Sequence, residues 1–421
     1  MPRARAGSGG DPFAPGGSSP WRAVVGFGVV SLAADMVYEG ARSVTGPLLA
    51  SLGASAVLVG VVTGAGEAMA LVLRLVFGSL ADRTGRYWTL TLAGYLLTAV
   101  AVPGLAVTPF LGGAGLVLAC ILILAERTGK AVRSPAKTAL LAHAAGAVGM
   151  GRGFAVHKAL DQVGAVAGPL LVAGIAALTG TLWPALAALV VPGALAVGLL
   201  VWIRGRIGDP ADPAKPAAAS QSPGSADPIT VPRPAPTPLP TQFWLFAASA
   251  GAATAGLVTF GVISFHLSRE QVVPIAAVPV VYAAAMAAAA VAALLTGWAY
   301  ARLRGRVLLT LPLLVAAVPP LAFSNTPTTA VAGVLLWGAA VGVQDSTVKA
   351  LVADLVPSRR RATAYGLFAA VQGAAAIAGG AMAGSLYSRS VPALVAAVAA
   401  TQLVALALLI ATLRHGTRIQ P

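Results

Sequence analysis

Charge is what this sequence has least of. Only 10% of its 421 residues are Asp, Glu, Lys or Arg, while 57% are hydrophobic. Soluble domains usually carry about 25% charged residues. Because so little charge cannot coat a water-facing globule of this size, lipid must be the solvent for most of the surface. The composition therefore predicts an integral membrane protein.

Cysteine is nearly absent as well. The single residue, Cys120, lies within an apolar run. The chain can therefore form no internal disulfide, and no CxxC motif or histidine cluster suggests a metal site. The sequence also shows no nucleophile–base set and no phosphate-binding loop. We therefore expect neither an enzyme nor a bound metal or cofactor. The energy source that we expect is a proton gradient.

The net charge of +15 does not indicate nucleic-acid binding. Its basic residues recur in short clusters between long apolar stretches, which is the pattern of cytoplasmic loops. The partners we expect are the lipid bilayer, protons and a small-molecule solute, with the chain acting as a monomer.

Long apolar segments divide the chain into membrane spans. A spanning helix needs about 20 mostly apolar residues. This criterion predicts an all-α membrane protein with twelve transmembrane helices, at 22–47, 56–78, 88–107, 112–133, 153–178, 183–203, 241–266, 274–299, 307–323, 329–350, 363–386 and 391–413.

The spans form two groups of six, at 21–204 and 241–414. Between them lies a polar, Pro-rich segment, 205–240, which reads as a mobile linker. The polar tails at 1–20 and 415–421 complete the chain, and we expect the first to be disordered. Paired six-helix halves are typical of secondary transporters.

The distribution of Lys and Arg predicts the orientation. With the N-terminus inside, most of the 28 basic residues fall in cytoplasmic segments, and the external loops hold only Arg269 and Arg389. Both termini and the linker are then cytoplasmic. The abundance of Ala, Gly and Arg suggests a GC-rich bacterial genome, so we expect a multi-pass protein of the bacterial cytoplasmic membrane.

The first span carries three charges, Asp35, Glu39 and Arg42, at spacing i, i+4, i+7. This spacing places them on one helical face. Since each charge at mid-bilayer costs roughly 2.5–3.5 kcal/mol on insertion scales, they must face water or each other. Two carboxylates one turn apart disfavour joint ionisation. We therefore predict that Asp35 and Glu39 carry a coupling proton, with Glu67 of span 2 as a further candidate.

Other spans repeat the pattern of charges within the membrane. The charged spans should surround a polar cavity, while the uncharged spans 3, 6, 9 and 12 should face lipid. An alternative is that the charges form salt bridges that only lock the bundle, which we favour for Glu126 with Lys130. The candidate solute and cavity residues are Tyr38, Arg42, Lys130, Arg133, Lys158, Asp161, Gln162, Gln344, Asp345 and Lys349.

The segment that follows span 2 reads GSLADRTGR. It resembles the motif G-x-x-x-D-R-x-G-R between spans 2 and 3 of the major facilitator superfamily, and the resemblance extends over essentially all of 21–414. It implies two six-helix halves that rock about a central cavity, and a cytoplasmic gate that latches the outward-facing state. The implied gate residues are Gly78, Asp82, Arg83, Gly85 and Arg86. The matching turn after span 8 has Ala301 in place of the aspartate, so the latch should be asymmetric.

Span 5 contains Gly164, Gly168 and Pro169. These residues resemble part of the antiporter motif found in drug:proton antiporters of the same superfamily, although the final Gly-Gly pair of that motif is absent. The resemblance implies export. The alternative is a small-residue helix contact with a proline kink, which needs no antiport.

Three functions remain open. The first is proton-coupled efflux of a small solute, favoured by the partial antiporter motif. The second is proton-coupled import of a small organic anion, favoured by the cationic residues of the cavity. The third is a membrane sensor or scaffold without transport, which should carry a folded appended domain, whereas the long segments outside the membrane are of low complexity.

Overall fold

The computed structural model describes residues 20–146, 148–207, 239–357 and 360–416. The N-terminal half contains α1 (Pro20–Ser51), α2 (Ala56–Thr84), α3 (Tyr87–Gly104), α4 (Gly113–Gly146), α5 (Met150–Thr179), α6 (Trp183–Ala188) and α7 (Val190–Ile207). The C-terminal half contains α8 (Thr241–Gly256), α9 (Phe260–Arg269), α10 (Ala277–Leu303), α11 (Thr310–Ala322), α12 (Pro327–Leu355), α13 (Arg361–Arg389) and α14 (Val391–Gly416). Within the described residues the regular structure is helical, as predicted. The predicted tails and linker lie almost wholly outside these residues and stay predictions.

Among the described residues, ten candidate membrane spans have sufficient length and hydropathy. The longest, Ala277–Ala322, contains two helices, α10 and α11, separated by a 3-10 turn. The charge-rich α4 is not among the ten, yet it is 34 residues long and packs between α2 and α3. Counting α10 and α11 separately and adding α4 gives the twelve expected helices. That all twelve cross the membrane stays a prediction.

The span formed by α8 and α9 is broken at 257–259. A break in a membrane helix exposes backbone groups that lipid cannot satisfy. Here the indole Nε1 of Trp337 donates a hydrogen bond to the carbonyl oxygen of Val258 at 2.8 Å. The break is therefore supported from α12, at the level where the two halves of the molecule meet.

Glycines bring the two halves together at the end where α1 finishes and α2 begins, which is the predicted external end. A Cβ atom on Gly60 of α2 would lie 2.1 Å from the carbonyl oxygen of Gly380 of α13. Likewise, a Cβ on Gly46 of α1 would lie 2.3 Å from the carbonyl oxygen of Gly261 of α9. Only residues without a side chain permit such contacts, so these backbones touch directly.

The same pair of helices, α2 and α13, separates toward the predicted cytoplasmic end. There a Cβ on Gly366 would meet only the Leu75 side chain, at 3.8 Å. The α2 and α13 backbones are thus in direct contact at the external end and parted at the other, where the Leu75 side chain lies between them.

The uncharged helices turn apolar side chains outward. Leu96 of α3, Val191 of α7, Leu313 of α11 and Leu403 of α14 are all more than half exposed. This is the surface expected of helices that face lipid, as the sequence predicts for spans 3, 6, 9 and 12.

Candidate functional site

The charged side chains of the membrane helices gather in the N-terminal half, on α1, α2, α4 and α5. They form two neighbouring groups. The Tyr38 cluster contains Tyr38, Glu39, Arg42, Glu67, Glu126, Arg127 and Lys130. The Asp35 cluster contains Ser31, Asp35, Arg133, Lys137, Lys158 and Asp161.

Tyr38 is the centre of the first cluster and is 2% exposed. Its phenol oxygen accepts hydrogen bonds from Arg127 and from Nη1 of Arg42, the latter at 3.3 Å. The ammonium nitrogen of Lys130 lies 3.3 Å from the centroid of the same ring. Three cations therefore surround one phenol, whose ring face and oxygen both attract positive charge.

Two carboxylates balance the arginines of this cluster. Oε1 of Glu67 accepts a hydrogen bond from Arg42 at 2.7 Å and lies 3.7 Å from Nη1 of Arg127. Oε2 of Glu126 lies 3.5 Å from Nε of Arg127. The expected salt bridge between Glu126 and Lys130 is therefore wrong, because Lys130 extends over the Tyr38 ring while Glu126 meets Arg127.

Glu39 reaches the other half of the molecule. Its carboxylate accepts a hydrogen bond from the phenol of Tyr282 in α10 and lies 3.9 Å from Arg42. Tyr282 is completely buried, and its ring packs on Phe260 with centroids 4.5 Å apart. Trp337 joins this aromatic group and lies 6.0 Å from the Arg42 guanidinium. An aromatic wall from the C-terminal half thus covers the Tyr38 cluster.

The Asp35 cluster lies nearer the predicted cytoplasmic end. Oδ1 of Asp161 accepts a hydrogen bond from Ser31 at 2.8 Å, and its Oδ2 pairs with Lys158 at 2.7 Å. The Lys137 ammonium donates to the Ser31 hydroxyl at 3.0 Å. Nη2 of Arg133 lies 3.9 Å from Oδ1 of Asp35.

The carboxyl groups of Asp35 and Asp161 are within hydrogen-bonding reach of each other. An ionised carboxylate can only accept hydrogen bonds, so a bond between two carboxyls requires a proton on one of them. Proton coupling through Asp35 and Glu39 stays a prediction, but the two side chains have different partners. Although both project from one face of α1, Asp161 from α5 meets Asp35, whereas Glu39 turns toward Tyr282.

The remaining predicted cavity residues lie along the seam between the halves. Nε2 of Gln162 in α5 approaches the carbonyl oxygen of Met286 in α10 at 3.4 Å. Gln344 donates to Thr254 at 3.4 Å within the C-terminal half. Asp345 of α12 is exposed and interacts electrostatically with Lys158 across the seam. The side chain of Lys349 is outside the described structure.

The predicted gate residues lie at the parted end. Gly85 adopts a left-handed conformation, with φ of 64°, and so ends α2. Asp82 accepts a hydrogen bond from Tyr87 of its own half at 3.3 Å. Among the described residues, no hydrogen bond or ion pair joins Asp82, Arg83 or Arg86 to the C-terminal half. An open latch agrees with a structure parted at this end, and the latch itself stays a prediction.

Comparison with known proteins gives the family. The model of the Major Facilitator Superfamily matches residues 27–379 and, in a second alignment, 264–420. This chain belongs to the major facilitator superfamily. Uncharacterized proteins of Mycobacterium tuberculosis and Mycobacterium bovis are each 52% identical over 395 residues, covering 93% of this chain and 93% of theirs.

Solved structures of superfamily-type transporters share its fold. A peptide transporter POT mutant in complex with sulfate has a TM-score of 0.72 at 16% identity, over 94% of each chain. A mutant of the nucleoside transporter NupG has a TM-score of 0.69 at 14% identity, over 93% of this chain and 99% of that one. An inward-facing bacterial homologue of the human lysosomal transporter Spinster scores 0.65 at 14% identity, over 93% of this chain and 94% of that one. Family and fold together make this major facilitator protein a secondary transporter.

The glycines of the partial antiporter motif have a structural explanation in this major facilitator protein. A Cβ on Gly164 would lie 2.3 Å from the Leu32 carbonyl oxygen, and a Cβ on Gly168 would lie 2.3 Å from that of Met36. These glycines of α5 therefore let its backbone pack directly on α1. The small-residue helix contact is present, with Pro169 inside the helix, and a role in antiport stays untested.

Several residues of the two clusters escape sequence reasoning. Span 4 is predicted to end at residue 133, which leaves Lys137 in a cytoplasmic loop, whereas α4 runs to Gly146. The charges at 126, 130, 133 and 137 recur every three or four residues, and this spacing could have shown that the helix continues. Arg127 is adjacent to that face and is not among the predicted cavity residues. Tyr282 carries no sequence signal, since a lone tyrosine in an Ala-rich span is an ordinary core residue.

Proposed function

We propose that this chain is a proton-coupled secondary transporter that moves a small solute across the bacterial cytoplasmic membrane by alternating access. The single observation that supports the coupling is the contact between the Asp35 and Asp161 carboxyls. Since a hydrogen bond between two carboxyls requires a proton, the pair would hold one proton in this arrangement and none when both groups ionise. It is therefore the proton site we assign, in place of Asp35 with Glu39.

The surroundings of the pair suit a group that gains and loses a proton. Lys137 and Arg133 approach it from α4, and Lys158 approaches from α5. Loss of the proton adds one negative charge among three cations, so the ionised state is also stabilised. Intramembrane carboxylates with such partners are typical of proton relays. Lys158 is 68% exposed at the parted end, which gives protons a route to the predicted cytoplasmic side.

Two directions of transport are compatible with this site. Export in exchange for protons is favoured by the partial antiporter motif at Gly164 and Gly168. Uptake together with protons is favoured by the cations around Tyr38. The solved neighbours are described as a nucleoside transporter, a peptide transporter and a bacterial homologue of a human lysosomal transporter. At 14–16% identity they support transport without selecting a solute for this chain.

Transport in proteoliposomes tests the proposal. Vesicles that enclose a pH-sensitive dye receive small carboxylates, amines and neutral solutes one at a time, under an imposed pH gradient. We expect solute-dependent proton movement with the wild type and with Asp354→Asn, whose carboxylate bonds to Tyr300 at the cytoplasmic rim. Asp35→Asn and Asp161→Asn should each abolish it. Gradient-driven solute flux that survives in both of these variants would overturn the assignment, and the sign of proton movement gives the direction.

A further inference from the structure

The Lys130 ammonium differs from most of its cationic neighbours in lacking an ion-pair partner. Arg42, Arg127, Arg133 and Lys158 each have a carboxylate oxygen within 4.0 Å. Among the described residues, Lys130 has neither such a carboxylate nor a hydrogen-bond acceptor. Its nitrogen lies against the Tyr38 ring, which occupies one side of the ammonium and leaves its three N–H donors unused.

This ammonium is also reachable. Lys130 is of intermediate burial, and its nitrogen is not among the buried polar atoms that lack a partner. Since it has no partner and is not buried, part of its surface is open. A cation held in place by an aromatic face, with free donors and open surface, is prepared to receive an anionic group.

Among the described residues, no acidic side chain of the C-terminal half forms an ion pair with Lys130. Its described acidic residues are Glu270 beyond the external end of α9, and Asp345 and Asp354 in the cytoplasmic part of α12. This half also presents the indole of Trp337 and the amides of Gln344 and Gln372, both of which donate to Thr254. The Asp345 carboxylate, next to Gln344 in the chain, interacts with Lys158 instead. An anion at Lys130 would therefore face an uncharged wall that has further hydrogen-bonding capacity.

We propose that the transported solute carries a carboxylate and that Lys130, supported on Tyr38 and flanked by Arg42, binds it. This inference rests on the proposed function and names its substrate class. It also gives the coupling a direction. Asp35 interacts electrostatically with Lys130, so a proton on the Asp35–Asp161 pair removes a negative charge that competes with the solute. Proton and carboxylate then bind together, and by linkage each raises the affinity for the other.

The groups that face the Asp35–Asp161 pair determine this coupling. From α4 they are Lys130, Arg133 and Lys137; from α5, His157 and Lys158; and from α3, Tyr95. Asp345 of α12 reaches the pair's surroundings through Lys158. The Asp35→Asn variant described below tests whether the pair, rather than His157, is the group whose protonation the solute senses.

Binding in detergent solution tests this inference without any gradient. The probes are benzoate and succinate, each compared with its neutral amide, and inorganic sulfate at matched ionic strength. Binding is followed by thermal stabilisation and by tryptophan fluorescence, since Trp337 lies 6.0 Å from Arg42. We expect at least one carboxylate to bind ten times more tightly than its amide. Equal affinity for acid and amide with both pairs of probes would overturn the proposal, and a preference for sulfate alone would assign the site to inorganic oxyanions and overturn it also.

Variants separate binding from packing. Lys130→Gln should weaken carboxylate binding at least tenfold, and Lys130→Arg should restore most of it. Arg206→Gln is the matched control, because Arg206 lies 4.5 Å from the Trp202 ring centroid at the end of α7 and is likewise a cation on an aromatic face. A Lys130→Gln variant that binds as the wild type does would show that Lys130 only balances the charge of the cluster.

The pH dependence distinguishes this inference from the proposed proton site. Wild-type affinity for benzoate should rise as the pH falls from 8 to 5.5, where benzoate stays ionised. Asp35→Asn, which resembles the protonated pair, should bind tightly at every pH. If the carboxylate binds at Lys130 but Asp35→Asn keeps the wild-type pH dependence, the solute class stands and the proton site fails. If Asp35→Asn abolishes proton flux while no carboxylate binds, the proton site stands and the solute class fails.

Discussion

The Tyr282 phenol of α10 donates a hydrogen bond to the Glu39 carboxylate of α1, and this bond joins the two halves of the transporter. It lies between the sealed external end and the charge clusters. Opening the external end requires the halves to part here, so the bond must break once in every transport cycle. The same aromatic wall continues through Phe260 to Trp337, which supports the break between α8 and α9.

Removing this bond should favour the outward-open state. A hydrogen bond to a charged group contributes about 1.5–3 kcal/mol, so Tyr282→Phe should shift the conformational equilibrium by about tenfold or more. Spin labels at Ser51 and Ile275, both at the predicted external end, report the distance between the halves by double electron–electron resonance. The Cys120→Ser substitution removes the native cysteine from the labelled protein. We expect a longer distance to gain population at the expense of the shorter one.

Tyr300→Phe provides the control for that experiment. The Tyr300 hydroxyl donates to Asp354 at 2.8 Å within the C-terminal half, so its loss removes a similar bond without separating the halves. It should leave the external distance distribution unchanged. An equal shift in both variants would mean that Tyr282 acts only through local packing.

The backbone contact between Gly60 of α2 and Gly380 of α13, the glycine seal of the external end, predicts a second effect. Gly380→Ala places a Cβ 2.2 Å from the Gly60 carbonyl oxygen, and such overpacking typically costs about 1–3 kcal/mol. Because that oxygen belongs to a helix backbone, α2 and α13 must move apart. We expect a lower unfolding temperature or a widened external end, measured by thermal unfolding and by the same label pair. Gly174→Ala, which meets nothing within 4 Å, should be neutral, and equal behaviour of the two variants would count against the seal.

The ion pair of Arg42 and Glu67 gives a third prediction. Glu67 accepts from Arg42 at 2.7 Å and also balances Arg127, so Glu67→Gln leaves two arginines short of a partner. Loss of one partner of a buried pair costs about 3–5 kcal/mol, and less where a side chain is partly exposed, as Glu67 is at 31%. The double variant Arg42→Gln/Glu67→Gln should be more stable than Glu67→Gln alone. Additive losses in thermal unfolding would show that the pair contributes no coupling energy.

The membrane potential distinguishes cotransport from exchange. One proton that moves with a monocarboxylate carries no net charge, whereas exchange of an exported monocarboxylate for an imported proton moves two charges. Each charge contributes about 2.3 kcal/mol per 100 mV. We therefore expect that the initial rate of carboxylate uptake in proteoliposomes does not change when a potassium diffusion potential is imposed with valinomycin. Strong stimulation of efflux by an inside-negative potential would favour exchange.

Much of the fold follows from the sequence, because a membrane span has a long and simple signature. The spans at 22–47 and 56–78 correspond to α1 and α2, and the Pro-rich interval separates α7 from α8. The signature fails where charge lies inside the bilayer. The predicted span 112–133 stops short of Gly146, since Arg133 and Lys137 resemble loop residues although Arg133 is 4% exposed.

The site could be predicted only in part. Helical spacing places Asp35, Glu39 and Arg42 on one face of α1, and the structure turns that face toward other charged helices. Spacing says nothing of partners on other helices. For that reason Asp161 as the neighbour of Asp35, and Tyr282 as the partner of Glu39, depend on tertiary packing that one sequence does not encode in a readable pattern.

Infrared difference spectroscopy of the purified transporter tests the shared proton most directly. A protonated carboxyl absorbs at a frequency separate from that of carboxylates and shifts in heavy water. We expect such a band near neutral pH in the wild type and in Asp354→Asn. It should be lost in both Asp35→Asn and Asp161→Asn, because neither group keeps the proton without the other. A band that remains in both of these variants would contradict a proton shared between Asp35 and Asp161.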